Sequence, residues 1–119
     1  VALHNNGLDF NLEESLDELA KRTIKMPGAM CGYWGVCGSV VSIAAVFSIL
    51  DSTGPLSSTS DYAKHMKYTS SVISKMSLIG GPRCCKRNAF LSIKISEHFC
   101  EFSPLNKQCI NKNCPFYKN

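Results

Sequence analysis

The sequence has none of the short motifs that mark nucleotide-dependent enzymes, serine hydrolases and zinc proteases. It contains no GxxxxGKS loop, no GxGxxG after a strand pattern, no GxSxG and no HExxH. It also lacks any alternating apolar and polar run of the kind that predicts a β-strand, and it has no internal repeat. These absences exclude the commonest phosphate-binding and hydrolytic chemistries and favour an all-α fold.

Charge is sparse as well. Charged residues make up 18% of the 119 residues, and the net charge is +4 with the cations spread along the chain. Binding of nucleic acid calls for a dense basic stripe, so no nucleic-acid partner is expected. The mild positive excess favours a small anionic ligand instead. The length suits a single domain over residues 1–119.

The chain shows no leader with an apolar core in its first 27 residues. Residues 27–50 are uncharged and long enough to span a bilayer, but their first part, "GAMCGYWGVCG", is too rich in glycine for a continuous helix. We therefore expect a buried helix here, with a membrane span as the alternative. The seven cysteines are an odd number, which disfavours a closed disulfide framework and favours a reducing cytoplasm. Because the first residue is Val1 and not Met, a lost leader or upstream segment stays an open alternative.

Apolar periodicity and helix-end signals predict a compact bundle of four helices, or slightly more. The predicted helices cover residues 11–27, 36–50, 60–79 and 82–102. Asn11 and Glu14 form a capping box for the first, and Pro27 ends it. The second is apolar all round and is expected at the centre. Residues 103–119 have no period and are predicted to form an irregular strap that contains cysteines.

Spacing also predicts which side chains of these helices face the core. The inward residues are Leu12, Leu16, Leu19 and Ile24 on the first helix, Tyr62, Met66, Thr69, Ile73 and Met76 on the third, and Cys84, Leu91, Ile95, His98 and Phe102 on the fourth.

Four cysteines are predicted to converge at one end of the bundle. Short connections make consecutive helices antiparallel, so the second and fourth helices run parallel and begin at the same end. Cys31 and Cys37 lie at the start of the second helix, and Cys84 and Cys85, within "GGPRCCKRN", open the fourth. Thiols at helix N-termini are favoured as thiolates, the form that binds metals and attacks electrophiles. Packing of ordinary buried thiols is the alternative.

Four residues around these cysteines are predicted to bind a ligand or cofactor. They are Arg83, Lys86, Arg87 and Trp34. The three cations favour ionised thiols and an anionic ligand, and Trp34 suits a lid or stacking platform, with wedged packing as the alternative. Ser39 and Asn88 are able to donate hydrogen bonds here, but the sequence gives no reason to choose them.

A second metal site is predicted from the tail. Cys100, Cys109 and Cys114 follow the other end of the fourth helix, and with His98 they make a set of four ligands typical of tetrahedral zinc. Packed thiols with a histidine in solvent, or a tail that folds back to the first cluster, are the alternatives. His65 is expected to be an ordinary interior or surface residue.

At "GAMCGYWGVCGSVVSI" and "GGPRCCKRN" the sequence resembles a prokaryotic family of cysteine-rich domains of unknown function. The tail "CINKNCPFY" looks like the ending of that family, so the resemblance covers roughly residues 12–117. It implies a site at Cys31, Cys37, Cys84 and Cys85 without an established activity. Some members carry a zinc-ribbon-like segment or are described as methyltransferases, but this chain has no recognisable methyl-donor loop.

Three functional interpretations follow. The first is a cytoplasmic metal-binding domain in which Cys31, Cys37, Cys84 and Cys85 hold an iron–sulfur cluster or zinc. The second is a thiol enzyme in which Cys84 or Cys85 is the nucleophile or redox thiol and Cys31 or Cys37 resolves it. No histidine is predicted nearby as a base, which favours redox exchange over hydrolysis. The third is a structural module with packed cysteines that forms a homodimer through glycine-rich helix faces.

Overall fold

The structure, a computed structural model, describes residues 1–58 and 60–100 and consists of helices joined by short loops. The helices are α1 (Ala2–Asn5), α2 (Leu12–Thr23), α3 (Met30–Tyr33), α4 (Gly38–Leu50), α5 (Ser60–Ile79) and α6 (Cys85–Cys100). No strand occurs in these residues. The all-α prediction is confirmed, and the structure adds the two four-residue helices α1 and α3 to the four predicted ones.

Helix α4 is the central element of the bundle. It packs against α2, α5 and α6, and α5 packs against α6. The buried core consists of Val40 and Phe47 from α4, Tyr68 and Val72 from α5, and Ile95 from α6. A helix that is apolar on every side can be shielded from water only by neighbours on several sides, and α4 has three of them.

Helix α2 begins as predicted after the Asn11 cap, but it ends at Thr23, four residues before Pro27. The Asn11 Oδ1 atom accepts a hydrogen bond from the Glu14 backbone N–H at 3.2 Å, which caps the first turn. The Arg22 Nη1 group donates to the Ser48 Oγ atom at 3.0 Å and ties α2 to α4. The predicted inward positions of Leu16 and Ile24 are wrong, since these side chains are 45% and 84% exposed, and Ile24 follows the last residue of α2.

The predicted inward face of α5 is wrong at its N-terminal end. Tyr62 and Met66 are exposed, whereas Tyr68 and Val72 are fully buried. Tyr68 is able to lie in the core because its hydroxyl donates to the backbone carbonyl of Ser92 at 3.2 Å.

The loop between α4 and α5 is held by polar contacts around Asp51. The Asp51 carboxylate accepts from the Lys64 ammonium at 3.0 Å and contacts the His65 Nε2 atom at 3.1 Å. The other ring nitrogen of His65 lies 3.0 Å from the Thr53 hydroxyl, and the ring stacks on Phe47. Burial raises the pKa of Asp51, but the bonds from Lys64 and His65 outweigh it and lower the pKa. His65 is thus a partly buried residue that fastens two helices.

Helix α6 begins at Cys85, three residues later than predicted, after a cis peptide bond between Gly81 and Pro82. Its inward face includes Ile95, but His98 is exposed, so its predicted inward position is wrong. The predicted strap, Phe102 and the tail cysteines lie outside the described residues. Among the helices described, none is both long enough and apolar enough to cross a bilayer.

The packing around Phe47 predicts the cost of opening the core. Phe47→Ala removes a ring that is 4% exposed and contacts both Tyr68 and His65, so we expect a loss of about 3–5 kcal/mol in the free energy of unfolding. Phe90→Ala, at a ring on α6 that is 42% exposed, should cost under ~1 kcal/mol. Urea unfolding followed by circular dichroism measures both. Equal losses would contradict the assignment of Phe47 to the core.

Candidate functional site

An open cleft of about 380 Å³ lies where the loop around α3, the end of α5 and the start of α6 meet. Its polar and ionisable lining residues are Cys31, Cys37, Ser77, Arg83, Arg87 and Asn88. The structure therefore places two of the four predicted cysteines and two of the predicted cations at one cavity. Ile73 and Met76 form an apolar part of its wall.

Cys37 is the thiol with the most developed surroundings. It precedes the first residue of α4 and packs against the core. Its Sγ atom lies 3.2 Å from the Ser39 hydroxyl and accepts from the Asn88 side-chain amide at 3.6 Å. Burial raises the pKa of Cys37, but the Ser39 and Asn88 side chains and the first backbone N–H groups of α4 outweigh it and lower the pKa. The surroundings therefore favour the thiolate.

The two side chains that contact Cys37 are themselves held in place. The Arg87 Nε group donates to the Asn88 Oδ1 atom at 3.2 Å, so the amide nitrogen of Asn88 is turned toward the sulfur. The Ser39 hydroxyl lies 2.9 Å from the Ser92 hydroxyl, whose oxygen lies 2.8 Å from the Asn88 backbone carbonyl oxygen. Ser92 is fully buried. The thiol thus sits at the end of a polar network that joins α4 to α6.

Arg83 is the cation that lies beside several of the thiols. Its Nε group donates to the Cys85 Sγ atom at 3.2 Å, and the guanidinium is exposed. The hydrogen bond to Cys85 raises the pKa of Arg83, and the charges that Cys85, Cys31 and Cys37 would carry when ionised act in the same direction. Arg83 also lines the same cleft as Cys31 and Cys37.

Cys84 and Cys85 are not among the residues that line the cleft. The half-buried sulfur of Cys84 accepts from the Arg87 backbone N–H at 3.4 Å, which caps the start of α6. Cys85 is exposed on the rim beside Arg83. Lys86 is half-buried and Trp34 is 61% exposed, and neither lines the cleft.

The predicted metal sites remain predictions. In residues 1–58 and 60–100, no three or more His, Cys, Asp or Glu side chains are grouped so that they would hold a metal ion. All four cysteines described with their side chains are free thiols. Of the second predicted site, His98 is exposed, whereas Cys109, Cys114 and the side chain of Cys100 lie outside the described residues.

The cleft wall contains residues in the left-handed backbone region. Gly35 and Gly80 have φ of 68° and 69°, a conformation that glycine adopts without steric cost. Ala29 has φ of 63° and carries a side chain in that region, which is uncommon. A Cβ atom added at Gly35 or Gly80 would meet no atom within 4 Å, so backbone conformation and not close packing favours glycine at these positions.

Ser92 is the site residue that was not predicted. It lies midway between Asn88 and Ser96, and all three are buried polar residues at a spacing of four on α6. A stripe of small polar residues along the inward face of a helix is the signal that points to a buried network. Ser39 and Asn88 were recognised as donors but could not be chosen, since Asn88 meets Cys37 from another helix and Ser39 is fixed by Ser92 on that helix.

The chain belongs to a family of unknown function (DUF5714), whose family model matches residues 1–99. The match includes α1 and both glycine–cysteine segments, and it ends before the tail motif "CINKNCPFY". No curated protein and no solved structure matches the chain. Membership gives no activity. The prokaryotic origin and the role of the two motifs as the signature of the family stay predictions.

The contacts of Cys37 predict how its reactivity depends on pH. Ser39→Ala removes a stabilising contact of the thiolate, so the pKa of Cys37 should rise and its alkylation by iodoacetamide near neutral pH should slow roughly three- to tenfold. The control is Ser42→Ala, whose hydroxyl donates to the Gly38 carbonyl within α4. Peptide mapping by mass spectrometry measures the rate at Cys37 across pH. An unchanged profile for Ser39→Ala would contradict the assignment.

The same shift has a consequence for stability. Because the pKa of Cys37 in the folded chain lies below its ordinary value of 9.0, ionisation favours the folded state. This contribution is fully present above pH 9.0 and is lost as the pH falls through the lowered folded-state pKa.

Proposed function

We propose that this domain carries out thiol–disulfide exchange, with Cys37 as the attacking thiol and Cys31 as the resolving thiol. One observation carries the proposal: the Cys37 sulfur is held by Ser39 and Asn88 in a cleft that Cys31 also lines. The proposal keeps the thiol chemistry expected from the sequence but moves the nucleophile from Cys84 or Cys85 to Cys37. The dithiol form requires a reducing compartment such as the cytoplasm.

The exchange is balanced in two steps. The Cys37 thiolate attacks one sulfur of a small disulfide, a mixed disulfide forms at Cys37, and one substrate thiolate leaves. Cys31 then loses its proton and attacks the Cys37 sulfur, which releases the second thiolate and forms the bond between Cys31 and Cys37. The substrate gains two electrons and the cysteine pair loses two. A dithiol reductant then reduces the bond between Cys31 and Cys37 and regenerates the two free thiols.

The segment between the two cysteines suits this pairing. Five residues separate Cys31 from Cys37, and they include Gly32 and Gly35. Gly35 lies in the left-handed region, at a turn between the end of α3 and the start of α4. A short connection that contains glycine is suited to the backbone adjustment that a bond between two cysteines requires.

Cysteine variants treated with the neutral disulfide of mercaptoethanol test the mechanism. We expect wild-type protein to end with a bond between Cys31 and Cys37, Cys31→Ser to accumulate the mixed disulfide at Cys37, and Cys37→Ser to lose exchange at this cleft. Cys85→Ser is the matched control, because Cys85 is an exposed thiol nearby. Mass spectrometry of the alkylated products identifies each species.

Full exchange in Cys37→Ser would overturn the proposal. Loss of exchange in Cys84→Ser or Cys85→Ser, with Cys37→Ser unaffected, would return the nucleophile to the start of α6. Slow and uniform alkylation of every cysteine would instead favour packed thiols in a structural or dimer-forming module. Thermal unfolding of each variant separates loss of chemistry from loss of fold.

A metal centre is the second proposal, with Cys31, Cys37, Cys84 and Cys85 as ligands of an iron–sulfur cluster or zinc. The observation that favours it is the position of Arg83, which donates to Cys85, lines the cleft with Cys31 and Cys37 and is suited to offset thiolate charge. The donor atoms as arranged do not form a metal-binding group, because Cys84 caps α6 and Cys85 points to Arg83. We therefore derive no step through a metal.

Anaerobic purification decides between the two proposals. A metal centre predicts stoichiometric iron with acid-labile sulfide, or stoichiometric zinc, and a loss of that metal in Cys37→Ser. Bound metal would also protect Cys37 from alkylation, and this would overturn the exchange proposal. Metal-free protein with a rapidly alkylated Cys37 would exclude the metal centre.

A further inference from the structure

The two arginines of the cleft are in different situations. Arg87 is engaged with the protein: its Nε group donates to Asn88 and its Nη2 group donates to the Gly80 carbonyl at 3.1 Å. Arg87 therefore positions Asn88 beside the thiol. Arg83 bonds Cys85 through its Nε group, and within the described residues neither of its Nη groups has a hydrogen-bond partner. Arg83 thus presents two donor groups at the cleft.

The charge of the cleft lining is positive. Arg83 and Arg87 line it, and none of the aspartates and glutamates in the described part of the chain does. Ionisation of Cys37 alone leaves the lining with a net positive charge. Unpaired guanidinium donors in such a place favour an anion, and a carboxylate most of all, because it accepts two parallel N–H bonds.

From this arrangement we propose that the cleft selects disulfides that carry a carboxylate close to the reacting sulfur, with Arg83 as the recognition residue. The inference rests on the proposed exchange function and names its substrate class. As Cys37 attacks the nearer sulfur, the Arg83 Nη groups hold the carboxylate of the same substrate. The bonds formed and broken are those of the exchange described above, and Arg83 undergoes no covalent change.

The selection also follows from where Arg83 lies. Arg83 lines the cleft together with Cys31 and Cys37 and donates to the Cys85 sulfur, so it lies beside the sulfurs and not at a distant edge. Arg83 is exposed, whereas Cys37 is half-buried. An anionic substrate is thus drawn toward the thiol on entry, whereas a cationic one is repelled at the same point.

Three disulfides in which two carbons separate the sulfur from the polar group test the proposal. Cystamine is cationic, the disulfide of mercaptoethanol is neutral and dithiodipropionate is anionic. The rate at Cys37 is divided by the rate for a free cysteine peptide, which removes intrinsic differences between the reagents. We expect this ratio to rise from cationic to anionic, with dithiodipropionate favoured over the neutral disulfide roughly three- to tenfold at low salt.

In Arg83→Gln this ratio should be nearly the same for the three disulfides, whereas Lys94→Gln should keep the wild-type differences. Lys94 is an exposed cation on α6, about 10 Å further along that helix than Arg87. The control therefore removes an equal charge outside the cleft. A flat series in wild type, or an equal effect of the two variants, would overturn the selection. In either case rapid reaction of Cys37 with the neutral disulfide would still support exchange, so the two proposals fail separately.

Discussion

The close approach of α4 and α6 is the constraint on which the site depends. Ser39 and Ser92 meet at 2.9 Å across the helix interface, and Val40 and Ile95 are buried on the same two helices. Side chains as small as serine permit this distance, and the hydrogen bond gives the fully buried Ser92 hydroxyl a partner. Because Asn88 lies one turn before Ser92, the same approach brings its amide to Cys37. A wider separation of the helices would leave the thiol without the Asn88 amide.

Two cysteines with similar places in the sequence have different chemical surroundings for this reason. Cys37 and Cys84 each come directly before a helix. The sulfur of Cys84 accepts from the third residue after it and so serves its own helix. Cys37 faces the neighbouring helix, where burial and hydrogen bonding oppose each other and hydrogen bonding prevails. The position along the chain predicts a polarised thiol in both cases, but only the tertiary contacts decide which sulfur faces a cavity.

The helices were readable from the sequence because their signals are local. The cap at Asn11, the apolar run of α4 and the break at Gly80 and Gly81 each act within a few residues. The inward face of α5 was misjudged because Tyr68 is buried through a bond to Ser92 on another helix. Convergence of Cys31 and Cys37 with the arginines could be expected from helix direction alone. The network around Cys37 could not, since it depends on the register of α4 against α6.

The link from Arg87 to Gly80 gives the site a mechanical property. Gly80 ends α5 next to Leu78, which is 86% exposed, and its carbonyl is held by the guanidinium that also holds Asn88. Displacing the end of α5 would therefore disturb the contact that orients the Asn88 amide beside the sulfur, so the acidity of Cys37 is linked to the position of a residue that it does not touch.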